Sequence, residues 1–504
     1  MAAPAPLTPR LGDLDRVVGD RLAKLDADGV VERIWARDHT VWRGDPAEIV
    51  DRLGWLEAPG AARALVGELR SFASQAAGDG LTHAVLLGMG GSSLAPEVYR
   101  RAFGVADGML DLRVLDTTHP DAIAVLEREL PMDRTLFVVS SKSGTTIETR
   151  SHLAYFHGAV GDGSRFVAVT DPGTPLEEEA GRLGFRRVFR AAPDVGGRYS
   201  ALTVFGLLPA ALIGADLDGL LDEAERAAEA CRTFEAAANP GAFLGVAMAE
   251  AALAGRDKLT LVAPPAVEAV GAWVEQLVAE STGKQGRGIV PVDREPVPAG
   301  DDRLFLSFAE APEADPAIEL PVDRPAALGA AFFVLEFAVA VAGHVLGIHP
   351  FDQPDVQAAK DRTADVLSSG DLPDEPAGDL DALLGSVRPG DYVGIQAFVP
   401  PSDGAWSSLQ DARRRIGERL RVATTLGYGP RYLHSTGQLH KGGPDTGVFV
   451  QVLERPAEDR AIPGAPYTFA ELIAAQAAGD LSALRDAGRR AARVDLGDLL
   501  AWGR

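Results

Sequence analysis

The sequence predicts an α/β protein: two doubly wound domains with parallel sheets, preceded by a helical region and followed by a C-terminal α/β extension. Three observations predict it. The chain has 504 residues, more than one hydrophobic core usually serves. From residue 82 onward, short apolar strands alternate with helical stretches, the texture of a parallel sheet covered by helices. Beyond residue 255 the same texture returns more loosely.

Each element follows from local pattern. Residues 13–75 carry apolar side chains at helical spacing, broken by turn residues such as Gly44-Asp45-Pro46. Strands are then expected at 83–87, 112–115, 135–139 and 166–169, with helices near 95–101 and 121–129. A second set begins with a strand at 258–262. A helix follows with Val267, Val270, Val274, Leu277 and Val278 on one face, and then a strand at 304–308. A Pro/Gly/Asp-rich stretch around 368–378 reads as a linker. After it come a strand at 392–399, a basic helix at 411–421 and a strand at 448–453. The expected division is 1–75, 76–225, 226–367 and 368–504.

Composition narrows the function classes. A net charge of -23 argues against nucleic acid as a partner, which would need clustered Lys and Arg. An anionic ligand remains compatible, because a local pocket can be positive on an acidic protein. One cysteine, Cys231, rules out an intramolecular disulfide and a cysteine-rich metal site. The longest apolar run, 326–348, is interrupted by Glu336 and His344 and reads as a buried helix rather than a membrane span. Residues 1–10 have no apolar core of signal-peptide length, so a cytoplasmic protein is expected.

Five segments carry chemistry. Gly88-Met89-Gly90-Gly91-Ser92 follows a strand and opens a helix, so its amides can face an anion. Ser93 stands where a dinucleotide fingerprint needs its third glycine, although Asp116 lies at a suitable distance to read a ribose. Ser141-Lys142-Ser143-Gly144-Thr145-Thr146 gathers hydroxyls and an ammonium at a strand-to-helix turn. Thr145 with Glu148 has the spacing of a capping box, so part of that turn reads equally as capping. Gly196-Gly197-Arg198 brings a guanidinium to a tight turn, as a ligand donor or as a structural ion-pair partner. Glu280 ends a helix that Gly283 is placed to terminate, a poor position for a carboxylate and therefore one that raises its proton affinity. Phe351-Asp352-Gln353 with Lys360 adds an amide and an ammonium. No HExxH string occurs and the nine histidines are scattered, so neither a metal nor an organic cofactor is expected.

The set, in this order, resembles the glucose-6-phosphate isomerase family over about residues 85–360. That resemblance implies two sugar-isomerase (SIS) domains. It implies a sugar phosphate held by Gly91, Ser92, Ser141, Lys142, Ser143 and Thr146, with Gln353 also on the substrate. It implies Glu280 as catalytic base, Arg198 near a developing enediolate and Lys360 as an assisting ammonium. The activity implied is reversible conversion of glucose 6-phosphate and fructose 6-phosphate, in glycolysis and gluconeogenesis, by a homodimer in which the partner supplies the ring-opening histidine.

The match has departures. Thr282 stands for the family's Asn, and Pro354-Asp355-Val356-Gln357 stands for its Trp-Gly-Val-Glu. The family's Asn-Gly-Gln-His segment is missing before Phe351. A related string, His434-Ser435-Thr436-Gly437-Gln438-Leu439-His440, lies far downstream, as in the isomerase part of transaldolase–isomerase fusion proteins. His440 is the expected ring opener, because Gln438 lies just before it, with His434 as the other candidate. An exposed histidine pair in a mobile Gly-rich loop is the plain alternative. A dual phosphoglucose/phosphomannose isomerase and a non-enzymatic sugar-phosphate sensor are the rival functions.

Overall fold

The computed structural model describes residues 7–370 and 375–504. The middle of the expected linker, 371–374, and the first six residues lie outside the described residues. A short strand β1 (Thr8–Arg10) comes first, followed by helices that include Asp15–Ala27 and Val66–Gly78. Their apolar stripes, among them Val18, Leu22, Leu25, Leu69 and Phe72, enter the main core.

The first sheet holds β2 (His83–Gly88), β3 (Asp111–Leu115), β4 (Thr135–Ser140), β5 (Phe166–Thr170) and β6 (Arg187–Arg190), all parallel, in the order β3-β2-β4-β5-β6. Every residue of β4 and β5 is buried, which is why these strands read as unbroken apolar runs. The second sheet contains β7 (Lys258–Val262), β8 (Val290–Val292), β9 (Arg303–Ser307) and β10 (Ala317–Glu319), in the order β1-β10-β9-β7-β8. Only β1 runs antiparallel in it. The third sheet is also parallel: β11 (Tyr392–Phe398), β12 (Ala423–Tyr428), β13 (Gly447–Leu453) and β14 (Arg490–Arg493), ordered β12-β11-β13-β14. The chain is therefore an α/β protein with parallel sheets, and the C-terminal extension carries a sheet of its own.

The apolar run near 326–348 forms the helix Leu328–Leu346, packed against Leu217–Ala230 and Pro240–Leu253. By length and composition it would cross a membrane, yet its sides are buried inside the protein. Glu336 sits fully buried on it, and burial alone pushes its carboxyl far above the usual range, so it is neutral.

Three local expectations are corrected. The basic helix starts earlier, at Asp403, because Ser402 accepts a hydrogen bond from the Ala405 amide and caps it. The helix Ile147–Val160 has no side-chain cap; Glu148 turns elsewhere. A capping box does form at the other Thr-x-x-Glu, Thr468 with Glu471, opening the helix Phe469–Asp486. Gly283 closes the helix Val270–Thr282 at φ -78, outside the left-handed region. Glycine is needed there because a Cβ would collide with the backbone of Leu439.

Candidate active site

The two expected phosphate turns are neighbours. β2 and β4 pair with Gly88 opposite Ser140, so the turns that leave them sit side by side at the carboxyl edge of the first sheet. The helices Leu94–Phe103 and Ile147–Val160 begin directly after them, and both point their positive ends at this edge. Within 141–146 the hydroxyls are paired: Ser141 Oγ with Thr146 Oγ1 at 3.0 Å, and Ser143 Oγ with Thr145 Oγ1 at 2.9 Å. Ser143 and Thr145 are exposed and Thr146 half-buried, as are Gly91 and Ser92 on the other turn. Lys142 points away, its ammonium 2.6 Å from Asp171 and 3.0 Å from the Pro193 carbonyl. The turn therefore offers amides, hydroxyls and a helix dipole, while the lysine charge is met by an aspartate.

A second cluster forms around Arg198, which is buried. Its Nε donates to Ser281 Oγ at 2.8 Å, and one terminal nitrogen donates to Gln353 Oε1 at 2.8 Å and Glu280 Oε2 at 3.3 Å. The other holds the carbonyls of Pro350 (2.6 Å) and Asp352 (3.2 Å). Tyr199 keeps the turn rigid by stacking on Trp55 at 5.4 Å. One guanidinium thus gathers the blocks around residues 198, 280 and 353, using its planar fork of donors.

Glu280 lies on the inner face of the helix Val270–Thr282 and is 7% exposed. Burial pushes its carboxyl above the usual carboxylate range, and Arg198 and the Gln276 amide pull it part of the way back. Burial, more than the helix end, is the cause. Gln276 stands one turn earlier, its Nε2 2.8 Å from the His434 carbonyl and 3.5 Å from Glu280 Oε1. Lys284 reaches under the loop at 349–353, donating to the His349 carbonyl at 2.6 Å and to Asp352 Oδ1 at 2.7 Å. Its own burial, reinforced by Arg198, brings its ammonium down to about 7.

The two candidate histidines have different surroundings. His440 sits in the short helix Gly437–Gly442, 5% exposed, with its ring 4.7 Å from Phe449 and 5.9 Å from Tyr432. Nδ1 faces the Gln396 amide at 3.2 Å. Burial holds the ring neutral by lowering its proton affinity well below the ordinary value. It is a packed core residue, and the string is no mobile loop. His434, in the turn after β12, reaches the cluster: its Nε2 is 2.8 Å from Glu148 Oε1, and its carbonyl accepts from the Gln276 amide that also approaches Glu280. Gly90 makes room for it. At φ +54, with the His434 carbonyl 2.6 Å from where a Cβ would stand, that position tolerates only glycine.

Lys360 is not brought in. It is exposed one turn into the helix Gln357–Ser369 and makes none of the contacts that join Arg198, Glu280, Gln353 and His434. Asp116, the residue that kept a ribose-binding reading open, is held by Arg431 through two hydrogen bonds of 2.6 and 2.7 Å. Sequence reasoning missed Gln276 and Glu148 as members of the site. The one available signal was Glu148 at the start of a helix, and it reads equally as a capping residue.

Known proteins carry related sequences. The family model described as Phosphoglucose isomerase matches residues 60–290. The glucose-6-phosphate isomerase of Synechococcus sp. (strain JA-3-3Ab) is 34% identical over 257 residues, 46% of this chain and 48% of that protein. That of Rubrobacter xylanophilus is 29% identical over 356 residues, 56% of this chain and 82% of that protein. The chain thus spans about half the length of the Synechococcus relative and most of the Rubrobacter one. A crystal structure of a glucose-6-phosphate isomerase from Chlamydia trachomatis superposes with a TM-score of 0.61 at 18% identity, over 71% of this chain and 86% of that one, and shows the shared fold. The matched segment contains both phosphate turns, Arg198 and Glu280, the parts that the geometry gathers independently of any relative. Over residues 60–290, the segment that holds both turns, Arg198 and Glu280, the chain is thus similar to the phosphoglucose isomerase family.

Proposed function

We propose that the protein is a cytoplasmic enzyme that interconverts glucose 6-phosphate and fructose 6-phosphate through a cis-enediolate. The observation that carries this is Glu280: a buried carboxylate of raised proton affinity, 3.3 Å from a buried guanidinium, in a cluster that His434 ties to the phosphate turns. The relatives that match the chain bear the name of this activity.

The phosphate is anchored at the turns 90–92 and 141–146. Because Glu148 can only accept, the His434 proton lies on Nε2 and Nδ1 is left as acceptor. Nδ1 takes the proton of the anomeric hydroxyl and returns it to the ring oxygen, which opens the ring. Glu280 then removes the proton from C2 of the aldose. The electron pair moves to the C1 carbonyl oxygen, and Arg198 stands where that negative charge is stabilised. The hydroxyl proton on the C2 oxygen passes to the adjacent C1 oxygen, Glu280 returns its proton to C1, and the C2 oxygen becomes the ketone while C1 keeps its hydroxyl. Gln353, held by Arg198, is the side chain assigned to the substrate from the loop at 349–353, which Lys284 supports. No step is assigned to Lys360 or His440, and the residues assigned steps are all drawn from one chain.

An assay of fructose 6-phosphate turnover, coupled to oxidation of the glucose 6-phosphate formed, tests the function. Turnover that persists with chelator present is the expected result. Binding of the sugar phosphate without turnover would select the sensor reading, and equal turnover of mannose 6-phosphate the dual isomerase.

A further inference from the structure

Glu148 holds His434, and it is itself held from the opposite side. The Gln476 amide donates from Nε2 to Glu148 Oε1 at 2.6 Å, the same oxygen that meets His434 at 2.8 Å. Behind it the Thr118 hydroxyl donates to Gln476 Oε1 at 2.8 Å. A carboxylate can only accept, so the Gln476 amide has one orientation that satisfies both ends. Thr118, Glu148 and Gln476 are each no more than 2% exposed. Gln476 rides on the helix Phe469–Asp486, whose first turn enters the core of the first sheet with Phe469 and Leu472 beside Phe137 and Phe156. Packing fixes the amide, and the amide fixes the carboxylate.

Other charges near Glu148 leave it dependent on these two donors. Burial alone would push its carboxyl up, and His434 brings it below the usual carboxylate range. His152, one turn along the same helix, is driven down to about 4 by burial and stays neutral at the pH of activity. Tyr467 keeps its proton, and Arg431 is committed to Asp116. Glu148 Oε2 has no partner among the described residues.

Taking His434 as the ring-opening residue, we infer that Gln476 is a positioning residue for this reaction. It keeps the Glu148 carboxylate turned toward His434, which holds the proton on His434 Nε2 and leaves Nδ1 open to the anomeric hydroxyl. It touches no substrate. The C-terminal extension therefore supplies both the histidine and the device that aims it.

The test compares Gln476→Leu and Thr118→Val with the unaltered full-length protein, using two substrates. Fructose 6-phosphate requires ring opening. A four-carbon aldose phosphate cannot close a ring, and its C2 proton exchange is followed in deuterated water. For Gln476→Leu, kcat on fructose 6-phosphate should fall about tenfold, with the acid limb of the pH profile moved up by about one unit, the size of one lost hydrogen bond to a charged group. C2 exchange on the four-carbon substrate should be unaltered. Thr118→Val should act in the same direction with a smaller effect, and it decides the matter if Gln476→Leu fails to fold. Equal losses on both substrates with an unmoved profile would mean a merely structural role and overturn the inference. Unaltered kinetics in both variants would overturn it too. Wild-type protein without fructose 6-phosphate turnover would overturn the proposed function and this role together, so the two failures are distinguishable.

Discussion

His434 and His440 stand six residues apart in one Gly-rich string, and the fold gives them opposite surroundings. His434 lies in the turn after β12, where its ring meets a buried carboxylate and its carbonyl meets Gln276. His440 lies in the next helix, against Phe449 and Tyr432, with an amide on its Nδ1. The first keeps a partly exposed ring, paired with a carboxylate. The second is packed as an aromatic would be. The difference teaches that a histidine's use is decided by which groups face it, and neighbouring sequence says little about that.

The largest effect that bears on this comparison is expected at Glu280, the proposed base. Glu280→Gln should reduce kcat by about two to four orders of magnitude, the usual size of a general-base contribution, with affinity for a phosphate-bearing inhibitor kept. The same change should raise the melting temperature at pH 7–8. A carboxyl whose folded proton affinity is raised favours the fold at low pH, and that contribution is lost as pH rises through its folded value, so removing its charge relieves a penalty at neutral pH. A variant with near-normal turnover would remove Glu280 from the mechanism.

His434→Ala should slow turnover of the cyclic sugar phosphates by about a hundredfold, within the range of acid–base catalysis, and barely affect C2 exchange on the four-carbon substrate. His440→Ala should act on stability instead. It should leave kcat within about threefold and lower stability by about 3 kcal/mol, as expected for emptying a buried ring site. Denaturant titration beside steady-state kinetics separates the two. A crippled His440→Ala with a harmless His434→Ala would invert the assignment.

Subunit mixing sharpens the comparison further. If His434 acts in its own chain, coexpressed Glu280→Gln and His434→Ala proteins should recover no activity. If a two-fold dimer shared its sites, as the family resemblance led us to expect, about a quarter of wild-type activity would return.

The smallest change expected is at the phosphate turn. Ser143→Ala with Thr146→Ala should raise KM for both sugar phosphates about tenfold and leave kcat nearly unaltered, because the phosphate is bound equally in ground and transition states. Loss of turnover at saturation with normal binding would give the turn another role.

Much of the fold was legible because its signals are local. The eight strands read from the sequence all exist, each within a residue or so at its ends. Short edge strands such as β1, β6 and β14, of three or four residues that are mostly exposed or half-buried, carried no such signal. The blocks holding Glu280, Arg198 and Gln353 were legible as candidates, and the fold joins them through one guanidinium. Lys142 was expected on the phosphate and Lys360 as an assisting ammonium; one meets Asp171 and the other lies exposed outside the cluster.

By itself the sequence determined the alternation of strands and helices, the two glycine- and serine-rich turns at strand ends, and the presence of a helix-end carboxylate and of an arginine in a glycine turn. Those follow from periodicity and from residue type, which need no knowledge of distant neighbours. Only the tertiary structure decided that His434 meets Glu148 through its ring and Gln276 through its carbonyl, and that Gln476 holds Glu148 from the other side. These residues lie at positions 148, 276, 434 and 476, and they meet because three sheets pack together. A polar side chain buried by such packing must find its partner among whatever the other elements present there, and no spacing within one segment specifies which group that will be.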